Sequence, residues 1–430
     1  MGASASVLPR LDATKSLAAV IGSTFFLGVA HGIGYPMTAI AFERWGAPAW
    51  ASGLASGMTA LASLFLLPFA PAIARQLGMV NAMTWGCALG VVGFLLLPVW
   101  PTVEGWIVLR FLMGFGLLFP WLLGETWINS VASEESRGRV LSLYVVALFG
   151  GYGVGPIMLG WLPPDGMAQF VIGAVLLVLT ALPLVLARRL APAMHGHGSA
   201  GVGAMWRLAP VAMIASLLAG VLEYAYIALL PAFGMRSGLG EAASLHLVSA
   251  FLWGGVALSF PFGWLADRVD RDRLMLWFVG AFVVLAIPAG LAVSVPGLAL
   301  PATFLLGGVA CAFYTLGLAI LGQRVPARDL GAANAAFLVL YQIGRLGGPP
   351  AVGAGMDIWP PTGLIVGAVA LCLMAGGAFV VVMRAEARRR QRSDASSGSQ
   401  RASGCSSLLR VRDEACIHAR RQSRSARRGE

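Results

Sequence analysis

The sequence has few charged residues: 11% of its 430 residues are Asp, Glu, Lys or Arg, whereas 58% are hydrophobic. A water-soluble domain of this composition would expose most of its apolar surface, so the composition excludes an ordinary soluble fold and indicates a lipid bilayer as the solvent. Cysteine is also scarce. Of the five cysteines, Cys87, Cys311 and Cys372 fall in predicted helices, so a disulfide framework is not expected.

Several kinds of catalytic site are missing from the sequence as well. We find no nucleophile triad, no metal-ligand cluster and no phosphate-binding loop, so neither an enzyme nor a cofactor is expected. His195 and His197 stand close together, but without nearby Cys, Asp or Glu they indicate a solvated loop rather than a metal site.

What the chain has instead is a series of long apolar stretches. Each contains about 20 residues or more, enough to cross roughly 30 Å of hydrocarbon. They lie at 16–42, 50–72, 80–100, 104–128, 140–161, 167–186, 208–233, 243–266, 274–295, 300–321, 332–356 and 362–383. Because these stretches are continuously apolar rather than alternating, they exclude a membrane β-barrel. The sequence predicts an all-α membrane protein with about twelve transmembrane helices.

The chain also repeats itself. The segment from Gly138 to Pro156 recurs 193 residues later, from Gly331 to Pro349. A repeat of this length in an apolar chain is typical of a transporter built from two homologous bundles that move about a shared central site. The predicted parts are a six-helix bundle at 1–187, a cytoplasmic linker at 188–207, a second six-helix bundle at 208–384 and a disordered tail at 385–430.

The positions of the arginines predict the orientation in the membrane. If the N-terminus is cytoplasmic, ten arginines fall on inward loops, leaving mainly Arg44 and Arg236 outside. The ten are Arg75, Arg137, Arg139, Arg188, Arg189, Arg268, Arg271, Arg273, Arg324 and Arg328. Both termini are then cytoplasmic, and the first span serves as an uncleaved signal for the inner membrane of a bacterium.

The predicted tail is rich in arginine and serine and poor in aromatic residues, so it cannot bury a core. A basic tail beside a membrane meets anionic lipid first, so lipid is the expected partner and nucleic acid is not.

One loop is distinctive. The segment from Gly263 to Arg273, with Asp267, Arg268 and Arg271, resembles the G-x-L-a-D-r-x-G-r loop of the major facilitator superfamily. The resemblance implies that Asp267 tethers the loop to a neighbouring helix N-terminus and helps to latch the outward-open state. In the first half Ala74 replaces this aspartate, and Asp270 stands where the family usually has glycine.

Three further segments agree with this resemblance, which covers nearly the whole chain except the tail. The run 110–116 is similar to the helix-four element of the superfamily, and 151–156 is similar to a helix-five G-x-x-x-G-P element associated with antiporters. The run 124–129, followed by Arg137 and Arg139, resembles a poorly characterised bacterial branch with an E-S/T-W-L/I-N signature. The resemblance implies secondary active transport by alternating access.

Four of the ionisable residues inside predicted spans lie at a similar depth, and each is a functional candidate because burying a charge in hydrocarbon is costly. Counted at 1.5 Å per residue, His31, Glu223 and Arg345 share one depth, and Arg110 reaches nearly the same level. A carboxylate, an imidazole and two guanidiniums from both halves suit a site that couples substrate to protons. The alternative is that both arginines bond backbone carbonyls near glycines and that His31 is a satisfied buried imidazole.

The resemblance implies that helices one, four, seven and ten line the cavity, which favours His31, Arg110 and Glu223 over Arg345. Other residues that could contact a ligand there are Tyr224, Tyr226, Trp121, Tyr314 and Gln342. Glu125, Arg137 and Arg139 are expected to order a cytoplasmic gate. The expected hinges or close-packing points are Gly151, Gly155, Pro156, Gly348 and Pro349.

Taken together, these features predict a monomeric secondary active transporter of a small organic molecule, with proton-coupled export as the expected activity. Two alternatives stay open: proton-coupled uptake of a small metabolite or sugar, and a transporter-like sensor or scaffold without flux.

Overall fold

The computed structural model describes residues 10–163, 166–192, 206, 208–295, 297–326 and 329–388. Within these ranges the chain is helical and contains no strand. Residues 193–205 and 207 of the predicted linker, which include His195 and His197, lie outside the described residues, as does the tail beyond residue 388. So does Arg328, and so does the side chain of Arg137.

Twelve long helices make up the described part, and we number them in chain order. They are α1 Arg10–Arg44, α2 Ala49–Leu66, α3 Met79–Leu96, α4 Val103–Val131, α5 Glu134–Gly160, α6 Ala168–Leu186, α7 Pro210–Arg236, α8 Glu241–Ala266, α9 Arg271–Leu291, α10 Ala299–Arg324, α11 Leu330–Ile358 and α12 Gly363–Arg388. A short helix, Ala70–Leu77, lies between α2 and α3. The all-α fold predicted from the sequence is confirmed, although most helices begin or end a few residues away from the predicted bounds.

Eleven of these helices are both long enough and apolar enough to cross a membrane. The remaining one, α11, has 29 residues and is long enough to span. Its glycines and prolines, together with Tyr341, Gln342 and Arg345, lower its hydropathy. The polar residues of α11 become important at the candidate site.

Two helix pairs inside the halves pack in the same way. Glycines allow α1 to approach α5 and α7 to approach α11 so closely that any side chain would collide. A Cβ atom on Gly28 would lie 2.2 Å from the Leu148 carbonyl oxygen, and one on Gly220 would lie 2.2 Å from the Tyr341 carbonyl oxygen. The two contacts occupy equivalent places in the two halves, as the internal repeat predicts.

The halves contact each other mainly through two further pairs, α2 with α11 and α5 with α8. Gly53 of α2 lies against the Pro349 backbone, and Gly153 of α5 lies against the Trp253 side chain. This packing joins both predicted bundles into one unit, residues 1–377. A second unit, 378–430, is described only to residue 388, where α12 ends, so the helix continues past the predicted start of the tail at 385.

Candidate functional site

A cavity of about 290 Å³ lies between the two halves. We call the end of the bundle at which α1 begins the N face and the other end the opposite face. Along α4, α5 and α10 the cavity reaches Glu125, Leu141 and Leu318, about 10 Å from the N-face ends of those helices. At its inner end it stops at a layer of tyrosines: Tyr35, Tyr152, Tyr224 and Tyr341.

Arg345 lines the cavity at this inner layer and is 7% exposed. Its Nη1 donates to Gln342 Oε1 at 2.6 Å, and its Nη2 donates to the Tyr35 hydroxyl at 3.1 Å. Its guanidinium carbon lies 3.8 Å from the ring centroid of Tyr224. The Nε atom is buried and has no partner among the described residues. The family resemblance favoured the other three ionisable candidates over Arg345, yet Arg345 lies on the cavity wall.

Glu223 lies behind the cavity wall. It is 2% exposed, and its Oε2 accepts a hydrogen bond of 2.6 Å from the Tyr341 hydroxyl. Tyr341 lines the cavity, so a single phenol separates the carboxylate from the space that a ligand could occupy. Glu223 and Arg345 are close enough for their charges to interact, although they form no direct ion pair.

His31 also lines the cavity, one helical turn from Tyr35 on α1. Its Nδ1 lies 2.9 Å from the Leu27 carbonyl oxygen. A carbonyl oxygen can only accept, so Nδ1 carries the hydrogen, and the other nitrogen of a neutral ring is an acceptor. Because the bond to Leu27 stays within α1, Nε2 is the ring atom available to a ligand or a proton.

Arg110 occupies the same level of the bundle but faces away from the cavity. Its Nη2 donates to the Gly34 carbonyl oxygen and to the Thr38 hydroxyl, and its Nε donates to Thr38 at 3.0 Å. These bonds connect α4 to α1 inside the first half. The geometry matches the alternative weighed for Arg110 from the sequence, that of a structural arginine bonded to backbone near a glycine.

The hydroxyl of Tyr35 on α1 joins these groups, and it was not among the residues predicted from the sequence. Tyr35 accepts from Arg345, and it also bonds Thr59 Oγ1 at 3.0 Å. Its ring lies 5.9 Å from that of His31, and the Arg110 guanidinium carbon lies 5.8 Å from its centroid. The available signal was its spacing of four residues from His31, which places both side chains on one helix face.

The remaining candidates divide between the cavity and its surroundings. Trp121, Tyr224 and Tyr314 line the cavity, whereas Gln342 is buried behind Arg345 and bonds it. Tyr226 does not line this cavity: its ring stacks on Phe251 at 5.1 Å and contacts Phe282, within the second half. Tyr152, also missed, bonds the Tyr224 hydroxyl across the two halves at 3.2 Å.

The residues expected at a cytoplasmic gate lie towards the N face. Glu125 lines the outer part of the cavity, and Arg139 lies in the first turns of α5. In the loop between α8 and α9, Gly263 has open space around it, and the Arg268 guanidinium stacks on the Trp264 ring at 3.6 Å. Asp267 is paired with Arg271 at 3.3 Å, and its side chain is 76% exposed.

The hinge candidates are close-packing points between helices. A Cβ atom on Gly151 would lie 2.4 Å from the Phe25 carbonyl oxygen, and one on Gly155 would lie 2.5 Å from the Gly32 carbonyl carbon. Gly348 meets Val221 in the same manner, and Pro349 contacts Gly53 across the halves. Pro156 lies inside α5 one residue after Gly155.

The opposite face carries an ion network that joins the halves and that the sequence did not reveal. Arg236 donates to Glu43 at 2.9 Å and to Asp357 at 3.1 Å. Asp357 also accepts from the backbone nitrogens of Ala49 and Trp50, at the start of α2. Beside this network, Arg44 pairs with Glu241 at 2.6 Å. By contrast, the N-face ion pairs Asp267–Arg271 and Asp272–Arg324 both lie within the second half.

Two family models match the chain, one in each half. The model described as Major Facilitator Superfamily matches residues 212–418, and the model described as MFS_1 like family matches residues 4–171. An uncharacterised MFS-type transporter of Bacillus subtilis is 25% identical over 355 residues, which cover 78% of this chain and 88% of the relative. An uncharacterised MFS-type transporter of Enterobacter is 29% identical over 267 residues, which cover 61% of this chain and 67% of the relative.

Solved structures with the same fold are transporters as well. A mutant of the nucleoside transporter NupG gives a TM-score of 0.69 at 14% identity, covering 86% of this chain and 98% of that one. A bacterial homologue of the human lysosomal transporter Spinster, in an inward-facing and unoccupied conformation, gives a TM-score of 0.69 at 14% identity. The match covers 87% of this chain and 98% of that one. At this level of identity the likeness establishes the fold alone.

Proposed function

Because the chain belongs to the major facilitator superfamily and is a transporter of that family, we propose that it moves a small organic molecule across the bacterial inner membrane by alternating access, driven by protons. The observation that supports proton coupling is the position of Glu223. Burying a carboxylate in the interior of a membrane bundle costs free energy, so its presence there indicates a function. The carboxylate of Glu223 is held by Tyr341, which lies on the cavity wall.

The charges of Arg345 and Glu223, at the inner layer of the cavity, provide a mechanism for proton coupling. Arg345 stays positive at any physiological pH, whereas Glu223 can gain or lose a proton. Protonation of Glu223 therefore changes the net charge beside the cavity from about zero to about plus one. A ligand whose binding depends on this net charge has an affinity that depends on the protonation of Glu223. This linkage is the thermodynamic basis of coupled transport.

The conformation supports alternating access. With the N face in the cytoplasm, as the arginines predict, the cavity extends towards the cytoplasm, and the Glu43–Arg236–Asp357 network closes the periplasmic end. Reporter fusions after Arg189 and after Arg388 should then give cytoplasmic signals, and a fusion after Trp100 should give a periplasmic one. A periplasmic signal at Arg189 would reverse the orientation.

Export is the direction predicted from the sequence, on the basis of the Gly151–Pro156 element in α5. A second candidate, uptake, is favoured by one observation: Arg345 lines the cavity while Glu223 lies behind it. An anion at Arg345 binds better when Glu223 is protonated, so proton and substrate would travel together. A cation that competed with the proton for Glu223 would instead be exchanged for it.

Proteoliposomes that contain a pH-sensitive dye test both coupling and direction. A panel of organic anions, cations and neutral compounds is added outside, with and without an imposed pH gradient. Alkalinisation of the lumen on addition of a compound indicates exchange, and acidification indicates cotransport. If no compound moves protons or accumulates under any gradient, while the protein stays folded, coupled transport is refuted and a sensor without flux becomes the better description.

A further inference from the structure

Arg345 is a permanent buried cation whose partners among the described residues are all neutral. They are an amide oxygen, a phenol oxygen and an aromatic ring, from Gln342, Tyr35 and Tyr224. None of the carboxylates in the described part of the chain lies within 4.0 Å of it. This contrasts with Arg44, Arg236, Arg271 and Arg324, each of which pairs with a carboxylate nearer the ends of the bundle.

The hydrogen-bonding capacity of Arg345 is also only partly used. A guanidinium has five N–H donors, and two of them are bonded in this structure. The Nε donor is buried without a partner. A buried donor with no acceptor costs free energy, and Glu223 offsets the charge of Arg345 only from a distance, without a direct ion pair, so a ligand could supply what is missing. A carboxylate or a phosphate would supply the acceptor and the counter-charge together.

The Tyr35 hydroxyl is oriented so that it supports this cation rather than competing with it. Thr59 donates its own hydrogen to the Ser56 carbonyl oxygen, so the Tyr35 hydroxyl donates to Thr59 and accepts from Arg345. The chain of bonds therefore runs from Arg345 through Tyr35 and Thr59 to the backbone of α2. It fixes the guanidinium at the inner end of the cavity.

The rest of the cavity wall indicates the chemistry of the other end of the ligand. Between the inner layer and Glu125 the wall is mostly aromatic and aliphatic, with Trp121, Phe149 and Tyr314 among its residues. Its volume of about 290 Å³ is at the lower end of the range for small-molecule sites. Glu125, at the outer end, disfavours a second negative charge near the N face.

We propose that the substrate is a small organic monoanion whose acidic group binds Arg345 and whose apolar body packs against the aromatic wall. This inference rests on the proposed transport function and specifies its substrate class. The negative charge of the substrate completes the interactions of Arg345 in the inner layer.

The test is a binding measurement, which does not depend on flux. The full-length protein in nanodiscs is heated with millimolar benzoate, phenylacetate or benzenesulfonate, which are monoanions, and with benzamide and benzylamine as matched neutral and cationic compounds. At least one anion should raise the unfolding temperature and bind saturably, whereas the amide and the amine should not. Stabilisation by the amine or the amide, without any by the anions, would overturn the proposal, as would a panel in which no anion stabilises.

Three variants separate the site from general effects. Arg345→Gln should weaken binding of the anion about 10- to 100-fold, the usual consequence of losing charge-assisted hydrogen bonds. Tyr35→Phe keeps the guanidinium and removes one of its supports, so it should weaken binding by less. Arg188→Gln removes the same charge at an exposed position beyond α6 and should leave binding unchanged. Unchanged binding in both Arg345→Gln and Tyr35→Phe would refute the site.

The two proposals can fail separately. Saturable anion binding that requires Arg345, without flux under any pH gradient, would keep the anion site and refute proton-coupled transport. Proton-coupled flux of a cation or a neutral compound, with no binding of anions, would keep transport and refute the anion site.

Discussion

Glu43 and Arg236 form an ion pair across the two halves, with Nε of the arginine 2.9 Å and 3.0 Å from the two carboxylate oxygens. The two residues are 193 residues apart, which is the offset of the internal repeat. They stand at the ends of α1 and α7, the first helices of the two halves. Near-equivalent positions in the repeat therefore carry opposite charges and bind each other where the halves meet.

This pair predicts how the opposite face opens. Arg236→Gln breaks the bonds to both Glu43 and Asp357, which are partly exposed. Partly exposed pairs contribute about 0–1 kcal/mol each, so the loss of both should shift the population towards an open opposite face by up to roughly 30-fold. Spin labels at Trp161 and Trp359, one in each half, should report longer distances.

A charge exchange is the matched control for this prediction. The double variant Glu43→Arg with Arg236→Glu restores one pair but places a glutamate beside Asp357, so it should recover only part of the closed population. Equal distance distributions in the wild type and Arg236→Gln would show that the network does not hold the face closed.

Adjacent glycines on α11 allow a test of the close packing between helices. A Cβ atom on Gly348 would lie 2.6 Å from the Val221 Cα atom, whereas Gly347 has nothing within 4 Å. Gly348→Ala should therefore destabilise the fold by about 1–3 kcal/mol, as overpacking usually does. Gly347→Ala should be neutral or stabilise by up to about 1 kcal/mol, because alanine favours a helix.

Thermal unfolding of the two alanine variants in nanodiscs, together with the yield of folded protein, would measure the difference. Equal stability of both variants would mean that α7 and α11 can separate at Gly348 without cost, which would support a hinge rather than a packing point.

The sequence predicted the all-α elements well, since their number and length follow from counting apolar residues along the chain. It did not predict which way a side chain points. Helix α4 is apolar on nearly all sides, so its pattern does not show that Arg110 faces α1. The same limitation applies to Tyr226, whose ring faces Phe251 inside the second half.

The contacts between the two halves could not be predicted from the sequence either. Arg345 and Tyr35 are 310 residues apart, and Ala49 and Asp357 are 308 apart. Such contacts follow from the packing of α2 on α11, which no local pattern specifies. Tyr35 was missed for a further reason, because tyrosines in membrane bundles usually serve packing or the interfacial belts, and only its partners distinguish it.

The loop between α8 and α9 gives a prediction about the other conformation. Here Asp267 makes one exposed pair with Arg271, and Arg271 is held independently by the Ala319 carbonyl oxygen at 2.7 Å. Asp267→Asn should therefore leave the stability and the N-face cavity of this state unchanged. If Asp267 latches the state in which the N face is closed, the variant should slow exchange in proteoliposomes.

Asp270→Asn is the control in the same loop. Asp270 caps α9 by accepting from the Arg273 backbone nitrogen at 2.9 Å, and asparagine caps a helix about as well. This variant removes the same charge and should exchange at the wild-type rate. Wild-type exchange in Asp267→Asn as well would mean that the loop is a surface turn.

The last prediction concerns Glu223 and the dependence of binding on pH. Tyr341 from α11 bonds it, and the other ionisable groups within electrostatic range are Arg345 from α11, Tyr314 and Cys311 from α10, and Tyr224 beside it on α7. Protonation of Glu223 removes the negative charge that offsets Arg345, so an anion should bind more tightly as the pH falls. Glu223→Gln imitates the protonated state and should bind the anion tightly at every pH.

The same variant should keep counterflow exchange but lose accumulation driven by a pH gradient, because no proton is released when the substrate leaves. His31→Gln is the control, since His31 lies within electrostatic range of Arg345 and could itself supply a pH dependence. It should keep accumulation driven by the gradient. If Glu223→Gln retains that accumulation and His31→Gln loses it, the coupling proton resides on His31, and the carboxylate behind Tyr341 has a structural role.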